Sequence, residues 1–318
     1  MTQAGMLKRL AIAALLAGVA AAAHAQDTLK IAVGQRGGWE QCVSELGQNA
    51  GIFRKHGLAL DVLYTQGSGE TLQSVISASV DIGIGVGTHG LLGAFAKGAP
   101  VRAIGSSFTS ADDQFYYVAA DSPVRSMKDA DGKTIAISTT GSASNIFALA
   151  LAKHFGVSLK PQPTGAYAAT LTQTLTKQVD IGFSQAPFNL NAVEEGKIRI
   201  IAMGRDVPEL RRMTSRLIIA NTAILAAKKA LIERYMQGFV ETLDWLYADP
   251  AAIKAYAAWS GLAENIAKRA PEFLTKDNLD PRYISGLDAI MVDAVKFKYL
   301  PAALSEAQLR EAIQIPLR

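Results

Sequence analysis

Of the 318 residues only one is cysteine, Cys42, and only four are histidine. A disulfide scaffold is therefore excluded. No Cys/His spacing of a metal site occurs, since His56, His89 and His154 stand far apart, so no metal is expected. Charged residues make up 19% of the chain, and 32 basic against 28 acidic side chains leave a net charge of +4. No block of like charge occurs, so the electrostatic footprint of a nucleic-acid binder is missing. Against these absences stands a 49% hydrophobic content, which excludes disorder and leaves room for about two domains with real cores.

Catalytic and nucleotide motifs are equally scarce. There is no G-x-S-x-G elbow. Gly132-Lys133-Thr134 has the ending of a phosphate loop, but the glycine such a loop needs falls at Met127. Gly85-Val86-Gly87-Thr88-His89-Gly90 matches G-x-G-x-x-G, yet the next strand ends Gly105-Ser106-Ser107 with no acid to hold a ribose. No cofactor and no catalytic residue is assigned. Asp112-Asp113 and Glu194-Glu195 read as solvated loop acids, and Cys42, on an apolar stripe, as a buried thiol.

The first segment has the grammar of export. Lys8-Arg9 precede the apolar run Leu10–Ala23, which ends in Ala23-His24-Ala25. This predicts a signal peptide over 1–25, cleaved after Ala25, and a periplasmic mature chain. No later stretch reaches membrane-spanning length without charges.

Strand and helix patterns alternate from Thr28 onward, which predicts βαβ units and a parallel sheet. Trp39, Cys42, Val43, Leu46, Ala50 and Phe53 fall at helical spacing, predicting one helix after the first strand. Thr71-Leu72 and Val80-Asp81-Ile82-Gly83 recur as Thr170-Leu171 and Val179-Asp180-Ile181-Gly182, at a fixed offset of 99 residues. That period is too long for a solenoid and fits two similar α/β lobes. After Gly204 a strand over Leu217–Leu225 is followed by helical pattern alone, with Asp249-Pro250 and Ser305-x-x-Gln308 as helix starts. A helical tail must pack on an existing sheet. The expected organisation is thus a discontinuous lobe of 26–108 plus 210–318 and a second lobe of 112–204. Two crossings join them at a hinge, and a cleft lies between.

Small polar loops close the strands and open the helices. Gly67-Ser68-Gly69, Thr88-His89, Gly141-Ser142 and the segment holding Gln185 and Phe188 all belong to this set. In open α/β sheets ligands bind beyond the carboxyl ends of the strands, so these loops should line one crevice. Free N–H groups at helix starts suit an anion there. Ser68 and Ser142 serve as N-caps, as ligand contacts, or both.

Several segments together resemble the SsuA/NMT1/THI5-like family of periplasmic solute-binding proteins. They are Leu29-Lys30-Ile31-Ala32-Val33-Gly34, Gly51-Ile52-Phe53-Arg54-Lys55-His56-Gly57-Leu58, Gly67-Ser68-Gly69-Glu70-Thr71-Leu72-Gln73, Val80-Asp81-Ile82-Gly83, and Ser126-Met127-Lys128-Asp129 leading to Gly132-Lys133-Thr134-Ile135-Ala136. The resemblance covers about 28–205. It implies the type II periplasmic binding fold and a non-catalytic receptor for an ABC importer of nitrate, sulfonate or taurine type. Such a receptor is a monomer that serves membrane permease subunits with a separate ATPase. The alternative is an enzyme on the same fold, a THI5-like pyrimidine-precursor synthase, or a binding protein for such a precursor. Those synthases use a cysteine-rich motif, and this chain has one cysteine.

The expected ligand is a small organic anion, a sulfonate or carboxylate with an apolar body. Arg36, in the first strand-to-helix loop, would hold the oxyanion. Trp39, Tyr167 and Phe188 would offer rings to the organic part. Trp39 equally suits the core, and Arg36 the solvent.

Overall fold

The computed structural model describes residues 26–317; the expected signal segment lies outside them. Asp27–Gly34 (β1), Leu58–Thr65 (β2), Ile82–Gly87 (β3) and Val101–Thr109 (β4) enter one sheet. Its order is β2-β1-β3-β10-β4, and Thr214–Asn221 supplies β10. β1 runs parallel to β2 and β3, while β10 runs antiparallel to both β3 and β4. The strands are apolar because helices cover both faces.

Gln114–Ala119 (β5), Gly182–Gln185 (β8) and Ile198–Met203 (β9) form a second sheet, with β5 antiparallel to both neighbours. Thr134–Ile137 (β6) pairs in parallel with Lys160–Pro163 (β7). A bridge between Ile135 and Ile181 joins β6 to the foot of β8, with Ala136 N donating to Ile181 O at 2.7 Å. Read across, the order β7-β6-β8-β5-β9 reproduces the first sheet, antiparallel strand included. The fully parallel sheet expected from the strand-helix alternation is therefore corrected. Thr214 at the start of β10 pairs with Thr109 at the end of β4, because the chain re-enters the first sheet at the end from which it left.

The repeat has a physical basis. The Thr71 hydroxyl meets that of Thr65 at 2.7 Å, and the Thr170 hydroxyl meets that of Thr164 at 2.6 Å. Asp81 accepts from the Lys30 backbone N–H at 2.9 Å, and Asp180 from that of Thr134 at 2.9 Å. Each pair of threonines fastens a helix start to a strand end, and each aspartate fastens the next strand to the first.

Three local expectations change. The single helix over Trp39–Phe53 is a 3-10 turn at Glu40–Cys42 and two helices, Val43–Asn49 and Ile52–Lys55, separated at Gly51. Gly51 takes φ 78°, a left-handed conformation that ends a helix. β7 has the sequence Lys-Pro-Gln-Pro, and its prolines, which lack a ladder N–H, are tolerated because it is an edge strand. β10 covers Thr214–Asn221 rather than Leu217–Leu225; Asn221 then caps the next helix by accepting from Ala223 N at 2.9 Å.

The helix Lys229–Ala248 buries Ile232, Tyr235, Met236, Phe239 and Leu243. They pack into one core with Val43, Leu46 and Phe53, and Tyr235 stacks on Phe53 at 5.4 Å. Each fully buried side chain of this kind contributes about 1.5–3 kcal/mol. Cys42 is buried in the same core, where its thiol donates to Trp39 O at 2.9 Å and desolvation raises its pKa. Ile290, Met291 and Ala294 of the helix Leu287–Lys296 join a core with Ile146, Phe147 and Leu151 behind the second sheet. No helix of the described residues is long and apolar enough to cross a membrane.

Candidate functional site

The carboxyl ends of β1, β3 and β6 point their loops at one another. Between them lies a cavity of about 30 Å³, lined among others by Gln35, Ser68, Ser138, Ser142, Tyr167 and Arg216. The backbones approach very closely here. A Cβ on Gly67, at φ 143°, would sit 2.2 Å from Ser138 Oγ. One on Gly87 would sit 2.4 Å from Gly141 O, so only glycine admits this contact. Gly90 N donates to Gly141 O at 3.2 Å, Tyr167 N to Gln35 Oε1 at 3.0 Å, and Gln41 Nε2 to Gln185 Oε1 at 3.4 Å.

Beside this cavity sits a buried charge cluster. Arg216 Nε donates to both oxygens of Glu40 (3.0 and 2.7 Å), and Nη2 donates to Glu40 and Asp113. Ser107 Oγ donates to Glu40 at 3.0 Å, and the guanidinium lies over the Phe108 ring at 4.6 Å. Glu40 and Asp113 are 0% exposed and Arg216 6%. Burial pushes Asp113 up to about 6; Arg216 opposes this and Glu40 reinforces it. Burial works against the Arg216 charge, but Asp113 and Glu40 hold its pKa above the usual arginine range.

The residues singled out in the sequence divide into three groups. Gly67, Ser68, Ser142 and Tyr167 meet at the cavity. Gln185 and Phe188 adjoin it through Tyr167, whose hydroxyl donates to Gln185 Oε1 at 2.5 Å and whose ring lies 5.6 Å from that of Phe188. Gly69 faces Thr139 across the same seam.

Thr88, His89 and Gly141 belong to the packed contact beside it. Thr88 donates to Thr214 O at 2.7 Å, and Gly141 N donates to Asn145 Oδ1 at 3.1 Å. His89 is 2% exposed, has no partner at Nε2, and desolvation lowers its pKa to about 4.

Arg36 and Trp39 lie elsewhere. Arg36 is on the outer surface, between Tyr64 and Trp259, donating to Trp259 O at 3.2 Å and pairing with Glu45. Trp39 is fully buried, donates to Tyr247 OH at 3.0 Å and packs edge-on to Tyr256.

Two further readings are corrected. Ser142 caps its helix, accepting from Asn145 N, but Ser68 is itself the first residue of its helix and accepts from Gly87 N at 2.8 Å. Asp113 is wholly buried, unlike the half-exposed Asp112 beside it, because its carboxylate is drawn to Arg216. Glu40, Asp113, Arg216, Gln35 and Ser138 were not recognised in the sequence. Arg216 alone left a signal there, as the one charged residue next to the apolar run Leu217–Ala220.

Two sheets of one strand order, joined by two links and meeting at a polar cavity, define the periplasmic binding protein fold. Solved structures with that fold agree. The alkanesulfonate-binding protein SsuA from Xanthomonas axonopodis pv. citri, bound to MOPS, superposes with a TM-score of 0.76 at 20% identity, over 91% of this chain and 98% of that one. The periplasmic nitrate-binding protein NrtA from Synechocystis PCC 6803 gives 0.70 at 12% identity, over 90% and 86%. Residues 46–253 match the family described as NMT1/THI5 like, and the chain belongs to that family. A curated relative, the 4-amino-5-hydroxymethyl-2-methylpyrimidine phosphate synthase of Aspergillus parasiticus, is 24% identical over 220 residues, 65% of this chain. The match spans 63% of that relative's length.

Proposed function

We propose that this chain is the exported solute-binding component of an ABC importer, a clamp with lobes 26–108 plus 210–318 and 112–204. It closes on a small polar organic solute in the periplasm and, as a monomer, presents both lobes to permease subunits driven by a separate ATPase. The observation that carries this reading is the cavity itself, which takes polar groups from both sheets at the strand ends. Closure requires that the solute make better contacts in the closed clamp than in the open one. The expectation of an organic anion rested on Arg36 and on the N–H groups at the helix starts; the position of Arg36 outside the cavity removes the first of these supports.

The test is Gly67→Ala. Its methyl group would meet Ser138 Oγ, so full closure is blocked. The solute retained by freshly purified protein, identified by native mass spectrometry, should bind the variant at least tenfold more weakly. Small-angle scattering should show compaction only in the wild type. Equal compaction in both would refute a closing clamp at this seam. The similarity to a synthase favours one second reading, an enzyme on the same scaffold. New product after incubation with the retained solute would support it.

A further inference from the structure

Resting on the clamp reading, we infer that the segment Pro281–Gln314 is a latch that fastens the two lobes together, with Tyr299 as its positioning residue at the wall of the solute cavity. The clamp opens only when the middle of this segment leaves the second lobe.

Both ends of the segment are tied to the first sheet. Ser106 N, in β4, donates to Pro281 O at 3.1 Å, and Thr214 N, in β10, donates to Ser285 O at 3.0 Å. Ser285 N returns a bond to Thr214 Oγ1 at 2.8 Å. At the far end Gln314 N donates to Ala103 O at 2.8 Å, and Arg102 pairs with Glu311.

The middle is seated on the second lobe. Ile290, Met291 and Ala294, on one face of the helix Leu287–Lys296, share a core with Ile146, Phe147 and Leu151 of the helix Ala143–Phe155. Ile290 and Ala294 are wholly buried. With both ends held on the first sheet, the lobes cannot swing apart while this contact stays dry. Apolar surface that is covered only in the closed clamp shifts the population toward that state. The seat is not packed on every side, because a cleft of about 470 Å³ remains beside it, between Ala150, Leu210, Val292 and Phe297.

Tyr299 carries the latch to the cavity. Its backbone lies against the first-lobe helix Thr88–Ala96, where a Cβ on Gly93 would come within 3.2 Å of Tyr299 O. Its hydroxyl reaches the second lobe, donating to Asn145 Oδ1 and accepting from Gly141 N at 3.2 Å. One residue therefore touches both lobes where the seam is tightest, beside the contact of Gly90 N with Gly141 O. Among the described residues, none of this segment lines the cavity, so it acts on closure rather than by touching the solute.

The test uses the full mature chain carrying Asp61→Cys and Lys160→Cys, labelled with a dye pair for single-molecule energy transfer. Both positions are exposed, on β2 and β7, the sheet edges farthest from the links between the lobes, and Cys42 is buried. Samples are compared as freshly purified and after stripping by unfolding in urea and refolding. Stripped wild type should show a closed and an open population. Tyr299→Phe loses both hydroxyl bonds and should raise the open-to-closed ratio about two- to tenfold, the net worth of a hydrogen bond. A merely structural tyrosine would lower the melting temperature and leave that ratio alone. Met291→Ala trims the seat and should raise the ratio too, while Met291→Leu, which keeps the volume, should not; should Met291→Ala fail to fold, Tyr299→Phe decides. A ratio unmoved by Tyr299→Phe and Met291→Ala overturns the latch and leaves the clamp intact. A single distance in every sample, variants included, defeats the clamp reading and the latch with it.

Discussion

Arg216→Met should be the most damaging single substitution at the junction of the two sheets. Methionine keeps the apolar contact with Phe108 but leaves Glu40 and Asp113 facing each other without a counter-charge, both 0% exposed. Removing one partner of a buried ion pair costs about 3–5 kcal/mol. At about 2–4 °C per kcal/mol for a chain of this size, the melting temperature should fall by about 6–20 °C. The deficit should also depend on pH. Asp113 already titrates near 6 in the folded protein, above its ordinary carboxylate range. A raised carboxyl adds stability that is complete below the unfolded pKa of about 4 and is lost as pH rises through the folded value. Without Arg216, which lowers it, the folded value moves higher still, so the variant should lose most at pH 8 and recover part of the loss at pH 5. Urea melts at both values measure this directly. Combining Arg216→Met with Glu40→Gln and Asp113→Asn should restore most of the stability, because neutral amides can share hydrogen bonds where two carboxylates repel. A deficit under 1 kcal/mol, or one equal at pH 5 and pH 8, would refute the account of a buried charge cluster.

Arg36→Ala should leave solute affinity unchanged and cost under about 1 kcal/mol of stability, as exposed ion pairs do; Trp39→Phe, which loses the bond to Tyr247, should cost about 1–2 kcal/mol with affinity again unchanged, both read by calorimetry and urea melts. His89, held near 4 by burial, takes up its proton in the unfolded chain first. Stability should therefore fall as pH drops from about 6.5 to 4, by about 3 kcal/mol at most from this group, and His89→Leu should flatten that slope in urea midpoints.

The architecture was legible where local pattern and tertiary role coincide. Thr71 and Thr170, or Asp81 and Asp180, do the same work in each half, so their common spacing carried the repeated strand order of the two sheets. β7 escaped because its prolines contradict strand propensity and are permitted only by its edge position. The charge cluster escaped for another reason. Asp112 and Asp113 are neighbours of one residue type, and nothing within the segment says which one meets an arginine 103 residues away. The choice of Arg36 over Arg216 followed the same blindness. A loop arginine is exposed by default, whereas one inside a fully buried strand has to be paired.

The placement of β10 between β3 and β4 bears on how the chain is made. Both neighbours are finished by Thr109, yet the strand that joins them emerges about a hundred residues later. At about 5–20 residues per second, a nascent chain would wait about 5–20 s with two unsatisfied strand edges in what becomes the middle of its first sheet. The amino-terminal half cannot be completed ahead of the rest, and the whole second sheet must be threaded out before the first one closes. Such a chain keeps its first sheet open late in its synthesis, with two strand edges unpaired until residue 221 has appeared.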